Sequence, residues 1–502
     1  MDGFGLYWGI DMLSLILCVP LVGSALIFFL ENYLSCRHFV SGGRIDNEVR
    51  TFSIQKLSQI PYSLYIALFV SLLEGLLVAA LYVRFDFSEH AIQFIEHYPI
   101  GSLKEISYLV GVDTKSLYFL ILNAILTPIA IITEYQSKQR NPARYCSLFL
   151  LIESLLMGVF SFLDLMMFYM AFEAVTIPAF LLIGIYGDSQ SAAYKFFLYS
   201  LSCSIFMLIG VLYMINVNGS ANLLSQSNSF SSSESLYLWL CFFIAFAVKV
   251  PLLPIHTWLT SAHVEASTGT SVILSGTILK MGAYGIIRVL LPTFAVESDY
   301  LANYVLILTL IGTIYTSVIA IMQEDMKSVI AYSSIGQMGY SVLGIFALQT
   351  ESLDGALIQM VSHSLTSAAL FICIGYIAHR FGTREISSIS GIAKTMPRFT
   401  FLFTLFTMSA VGLPGTSGFI GKFKILLGLF RGHHSIIGGF MLISTLLSAA
   451  YMMVFYVRII WGKPRTCGGN IRDIGLGEIT LLAALAGGIL CIGLFPESFL
   501  KI

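Results

Sequence analysis

Charge is what this chain has least of. Only 11% of its 502 residues are Asp, Glu, Lys or Arg, whereas soluble domains carry roughly 25%. A soluble chain of this length would divide into several domains, each with a polar surface to cover. The polar residues for that are missing. The formal net charge is -1, so no overall field favours nucleic acid or an acidic substrate, and no nucleic-acid partner is expected. Cysteines are present but scattered. Cys18, Cys36, Cys146, Cys203, Cys241, Cys373, Cys467 and Cys491 contain no C-x-x-C pair, and iron–sulfur and zinc sites need clustered ligands. No metal and no redox cofactor is therefore expected on this chain. A glycine-rich nucleotide cradle is also missing. The first residues lack the basic stretch and small-residue cleavage site of a signal peptide.

Apolar residues, by contrast, make up 57% of the chain, and lipid is the solvent that accommodates them. A helix needs about 20 apolar residues to cross a bilayer with its backbone hydrogen bonds closed internally. Suitable runs lie at 8–31, 61–85, 115–135, 145–162, 165–187, 194–217, 236–256, 271–292, 302–322, 329–349, 355–377, 398–428, 436–461 and 475–501. The expected fold class is all-α integral membrane, with about fourteen transmembrane helices. Residues 32–60 and the serine- and asparagine-rich 218–235 read as loops. With alternating loops, one side collects Arg37, Arg44, Arg50, Lys56, Lys138, Arg140, Arg144, Lys195, Lys327, Arg380, Arg384, Lys394, Arg398, Arg458, Lys463, Arg465 and Arg472. The other side holds only Arg84, Lys104, Lys115, Arg288, Arg431 and Lys501. The positive-inside rule places the first set in the cytoplasm, matrix or stroma, and both termini opposite.

Charged residues inside spans are costly and mark function by default. Lys249, Lys280, Lys422, Lys424, Glu74, Glu153, Glu173 and His363 fall within the apolar runs. Lys249 lies in AFAVKVPLLPIHTW, where Pro251 and Pro254 cannot donate to the helix ladder. The helix is expected to break just after the lysine, freeing carbonyls and admitting water; such breaks occur where a cavity is lined. VGLPGTSGFIGKFK, which ends on Lys422 and Lys424, predicts a second break. If 145–292 and 293–461 are two five-helix repeats, each interrupted helix is the fourth of its repeat, the pattern of an inverted-repeat transport pathway. Residues 1–144 then form three N-terminal helices with their loops, and 462–502 a C-terminal helix. Lys424, on a different helix face from Lys422, reads as a structural lysine, a static ion-pair partner or one that snorkels to the interface. Glu74 and Glu153 stay open between structural and functional roles. His256 and His263 read as hydrogen-bonded structural histidines, and His363 as a proton carrier.

The run FAVKVPLLPIHTWLTSAHVEASTGTSVILSGTILKMGAYGIIRVL, from Phe246 to Leu290, resembles the signature of the antiporter-like, proton-pumping membrane subunits of respiratory NADH:ubiquinone oxidoreductase, complex I. VGVDTKSLYFLILNAILTPI, FYMAFEAVTIPAFLLIG, IAYSSIGQMGY and VSHSLTSAALF extend the resemblance over nearly the whole chain. It implies a subunit without its own redox centre, moving protons while NAD, FMN, iron–sulfur clusters and ubiquinone are bound by other subunits. It implies as partners the neighbouring antiporter-like subunits of the membrane arm, and lipid. The relay it implies is Glu173, Lys249, Lys280, His363 and Lys422, with a Glu173–Lys249 pair as its switch. At 4 Å and an effective dielectric near 20 such a pair is worth about 4 kcal/mol.

Three departures stand out. Lys422 replaces the usual acidic residue, Gln337 stands where relatives commonly carry histidine, and LTSAHVEAST lacks two prolines and an aspartate of the usual loop. These departures, with abundant Phe, Ile, Leu and Ser, fit a fast-evolving organellar genome, so the mitochondrial inner membrane is expected ahead of a plastid or bacterial membrane. A subunit of a secondary cation/proton antiporter is the alternative, because its large subunits share these motifs. An assembly scaffold that has lost transport is a further rival.

Overall fold

The computed structural model describes residues 11–40, 62–89, 91–100, 105–136, 141–187, 189–224, 230–463 and 471–497, with side chains of 34–40 excepted. Cys467, Arg44, Arg50, Lys56, Lys104, Lys138, Arg140, Arg465 and Lys501 lie outside the described residues, as do the side chains of Cys36 and Arg37. The chain is a multi-pass helical membrane protein: among the described residues, 13 helices are long and apolar enough to cross a bilayer. In order, the elements are α1 (Met12–Val40), α2 (Tyr62–Arg84), β1 (Gln93–Pro99), β2 (Ser107–Val112), α3 (Thr114–Gln136) and α4 (Pro142–Ser161). There follow α5 (Leu165–Tyr186), α6 (Gln190–Asn218), α7 (Ser232–Lys249), α8 (Thr257–Glu265), α9 (Thr268–Thr293) and α10 (Ala295–Ile321). The last are α11 (Met326–Phe346), α12 (Thr350–Phe381), α13 (Pro397–Val411), α14 (Ser417–Arg431), α15 (Ser435–Ile460) and α16 (Leu476–Leu494).

Both expected interruptions are present. α7 stops at Lys249, and a helix resumes only at Thr257. The run 398–428 forms as two helices of 15 residues, α13 and α14. Gly412 and Gly415 between them sit at φ +95° and +91°, a conformation that L side chains rarely adopt.

Two compact units divide the chain. The first comprises Met1–Leu182 with Met214–Gln226, the second Ile183–Tyr213 with Ser227–Ile502. In the first unit, the connection between α2 and α3 contains the antiparallel hairpin β1–β2, which no membrane-span pattern in the sequence announces. Its Glu96 accepts from the main-chain N–H groups of Leu13 (2.8 Å) and Ser14 (3.1 Å), occupying orphan donors at the start of α1. Asp164 does the same for α5, accepting from Met166 (3.0 Å) and Met167 (3.1 Å), while its other oxygen takes the Ser107 N–H of β2 (2.9 Å).

In the second unit the most buried of the long helices are rich in Ser, Thr, Gln and His. The spanning windows of α9, α11 and α12 are 94%, 94% and 100% buried. Lipid tails are as apolar as leucine, so polar side chains rather than apolar ones sort helices into the interior. α12 packs closely against α14 there, and glycine permits it. A Cβ on Gly355 would lie 2.7 Å from Ile425 N and 3.0 Å from Gly421 O, and one on Gly428 2.9 Å from Ser352 N. Neither contact can be relieved by turning a side chain. Gly355→Val is therefore expected to prevent the second unit from folding, read as loss of the full-length chain from the membrane fraction. Gly439→Ala, which meets nothing within 4 Å, should assemble normally.

Candidate functional site

The prolines beyond Lys249 end α7, and the end is built from specific contacts. The Val248 carbonyl, which the ladder leaves free, accepts from the indole Nε1 of Trp258 at 2.9 Å. A side chain thus takes this carbonyl, where the sequence led us to expect water. Lys249 is 1% exposed, and its ammonium lies 5.6 Å from the Phe196 ring centroid, a cation–π contact. Gly282 of α9 lets the two backbones approach, since a Cβ there would come 2.6 Å from the Phe246 carbonyl.

Lys280 is fully buried in α9. Two five-residue π-helical segments, Leu274–Ile278 and Ile286–Leu290, bracket it. Such wide turns concentrate at functional sites, and the sequence carries no recognised signal for them. The Lys280 ammonium donates to the Ser275 carbonyl and sits 2.9 Å from His363 Nδ1. When Lys280 is charged it can only donate, so Nδ1 then accepts and the imidazole proton stands on Nε2. Nε2 is buried without a protein partner. His363 lines a cavity of about 20 Å³, walled by Ser333, Ser334, Gln337, Gln359, Ser362, Thr366, Ser367 and Ser409 together with Ile330, Leu370 and Ala410. That is room for about one water.

Beyond this cavity stands Lys422, 6% exposed. Its ammonium donates to the carbonyls of Ala410 (2.8 Å) and Val411 (3.2 Å), the last of α13, and lies 5.3 Å from the Tyr340 ring centroid. Gln337 shares the Ala410 carbonyl at 3.3 Å, donates to Ser448 Oγ at 3.3 Å and accepts from Gln359 Nε2 at 2.8 Å. All three of its amide directions named here are occupied, so it is held in place. Ser448 continues to Tyr451 (3.3 Å) and Tyr451 to Ser333 (2.8 Å), back at the cavity wall. The sequence drew attention to Gln337 only as a missing histidine; Gln359, Tyr451 and Ser448 had no sequence signal.

Lys280, His363 and Lys422 are therefore brought into one polar file of the second unit, which also contains Lys249. Glu173 stands in the first unit on α5, half-buried, with one carboxylate oxygen buried and lacking a hydrogen bond. Among the described residues no carboxylate pairs with Lys280 or Lys422. Lys424 does have one, Asp354 at 3.5 Å, which is the static role its position predicts. His263 departs from expectation: both ring nitrogens are buried without hydrogen bonds, and the ring instead stacks on Phe371 at 4.6 Å. His256 leaves Nδ1 unpartnered but keeps a hydrogen bond to the Pro254 main chain, the structural role expected of it.

Residues 163–448, more than half of the chain, match the family model described as NADH:quinone oxidoreductase/Mrp antiporter, TM. The chain belongs to this family. Within the family it is 38% identical over 442 residues to NADH-ubiquinone oxidoreductase chain 4 of Marchantia polymorpha, covering 87% of this chain and 89% of that one. It is 38% identical over 450 residues to NADH-quinone oxidoreductase subunit M of Rhodobacter capsulatus, covering 86% and 87%. A chain of respiratory complex I from Thermus thermophilus superposes with a TM-score of 0.83 at 26% identity, over 97% of this chain and 96% of that one.

Lys422 yields a test of local chemistry against family habit. Two carbonyls point at its ammonium, so a carboxylate there would face acceptors with no donor of its own. Lys422→Glu is expected to lower proton pumping and complex yield, although it installs the acidic residue that the family resemblance leads one to expect there. Leaving buried acceptors unsatisfied costs about 1–3 kcal/mol per group. Native-gel yield and vesicle acidification measure the two effects; a variant equal to wild type in both would refute the reading.

Proposed function

We propose that this chain is a proton-translocating membrane-arm subunit of NADH:ubiquinone oxidoreductase. The observation that carries the proposal is the buried file from Lys280, in contact with His363, through the cavity to Lys422. The likeness to chain 4 and subunit M relatives over most of the chain supports the same reading. The chain supplies no redox centre. NAD, FMN, iron–sulfur clusters and ubiquinone belong to other subunits, and quinone reduction there drives the protons here. Neighbouring antiporter-like subunits and lipid are its partners. The mitochondrial inner membrane is its location, a reading supported by the residue usage of a divergent organellar gene. The halves 145–292 and 293–461 act as two inverted repeats, each with one interrupted helix.

In this scheme Glu173 controls by its charge whether Lys249 keeps its proton. Once released, the proton passes by way of Lys280 and His363, crosses the cavity on water, and reaches Lys422. Lysine suits the terminal positions because it changes between a charged donor and a neutral amine that accepts. Histidine suits the middle because its two nitrogens exchange donor and acceptor roles.

Glu173→Gln and Lys249→Ala should each cut proton pumping about tenfold or more, equivalent to at least about 1.4 kcal/mol in the transfer barrier. The complex should still migrate as one large NADH-oxidising band on a native gel. Normal pumping by an assembled Lys249→Ala complex would contradict the scheme. Migration of the wild-type chain only in a small assembly lacking flavin and iron–sulfur partners would transfer it to the secondary antiporters.

A further inference from the structure

The first unit contains a second buried acidic arrangement, outside the relay. Glu74 of α2 and Glu153 of α4 are both 0% exposed. Their carboxyl groups lie within hydrogen-bonding reach of each other, yet none of the four oxygens has a donor among the described residues. The polar neighbours are already engaged. Asn123 commits its amide N–H to the main-chain carbonyl of Glu153 at 3.1 Å, leaving only Oδ1, itself buried and unpartnered. The Thr127 hydroxyl, within reach of Glu153, gives its proton to the Asn123 carbonyl at 3.0 Å. No Lys, Arg or His acts on either carboxyl.

An arrangement of acceptors with neither donor nor cation is not stable in a membrane interior. Two ionised carboxylates in contact repel, and both have lost their hydration. One proton removes the conflict: it neutralises one carboxyl and turns the acceptor–acceptor contact into a short charge-assisted hydrogen bond. The unpartnered Asn123 Oδ1 and the lone pairs of Thr127 offer further acceptors for a second proton.

We propose that Glu74 and Glu153 form a proton-binding site, a carboxyl pair that shares a proton between α2 and α4. This site does not depend on the transport reading of the relay. It assigns a proton-holding group to helices in which the relay has no member.

The test is infrared spectroscopy of the intact complex, compared with Glu74→Gln, Glu153→Gln and the double variant. The wild-type spectrum should contain a protonated-carboxyl C=O band that shifts on exchange into D₂O. Each single variant should displace that band, and the double variant should lose it. If the double variant fails to assemble, Glu153→Gln carries the comparison, because it keeps one carboxyl and adds an amide donor. Wild-type and assembled variant spectra identical in this region would show that the pair is ionised and overturn the proposal. So would a band that appears only when sodium is withheld, which would assign the oxygens to a metal cation.

Discussion

A helix that breaks inside a membrane must find donors for the carbonyls it frees, because no bulk water reaches them. Much of the candidate site follows from how this chain meets that constraint. At the end of α7 the Trp258 indole takes the Val248 carbonyl, which leaves the Lys249 ammonium to the Phe196 face and its other surroundings. At the end of α13 the solution differs. There the donors to the Ala410 and Val411 carbonyls are Lys422 and Gln337, so the groups that close the break are also the groups beside the cavity. Structure and candidate function coincide at the second break and are separated at the first.

This difference explains why the substitution of lysine for an acidic residue at position 422 is coherent. An acid there would require donors from α13, and the end of a helix presents acceptors. A lysine provides what the carbonyls need, and its positive charge complements the negative end of the α13 dipole. Gln337 fits the same logic. A glutamine is both donor and acceptor without carrying net charge, so it bridges Ala410, Ser448 and Gln359 without adding another cation near Lys422.

Much of this was legible in the sequence because its signals are local. Apolar run length places spans, proline fixes the end of α7, and glycines with proline open the α13–α14 break; each depends on a few adjacent residues. Lys249, Lys280 and Lys422 stand out because a charge in an apolar run is expensive wherever the helix packs. What could not be read depends on tertiary approach. The β1–β2 hairpin has no span signature, and Glu96 meets Leu13 and Ser14 across more than eighty residues. The π segments around Lys280 arise from how α9 is accommodated, not from any residue pattern we recognise. His263 read as a hydrogen-bonding residue by type, yet its neighbour is the Phe371 face, which only packing decides. Glu74 and Glu153 were individually visible, but only the fold puts them together.

The contact between Lys280 and His363 limits how the file can work. At 2.9 Å, an ammonium and an imidazolium would repel by about 6 kcal/mol at an effective dielectric near 20. No carboxylate among the described residues pairs with Lys280 to offset this, so charge on both groups at once is disfavoured. In the proposed relay, a proton therefore moves onto His363 as Lys280 gives one up. The hydrogen bond already aligns the two nitrogens, so that exchange needs no large rearrangement. The next step faces a cavity with space for about one water, walled by hydroxyls that can donate or accept. The gap in the file thus lies between His363 Nε2 and the Ala410 carbonyl that holds Lys422, where the cavity offers room for about one water in place of a titratable side chain.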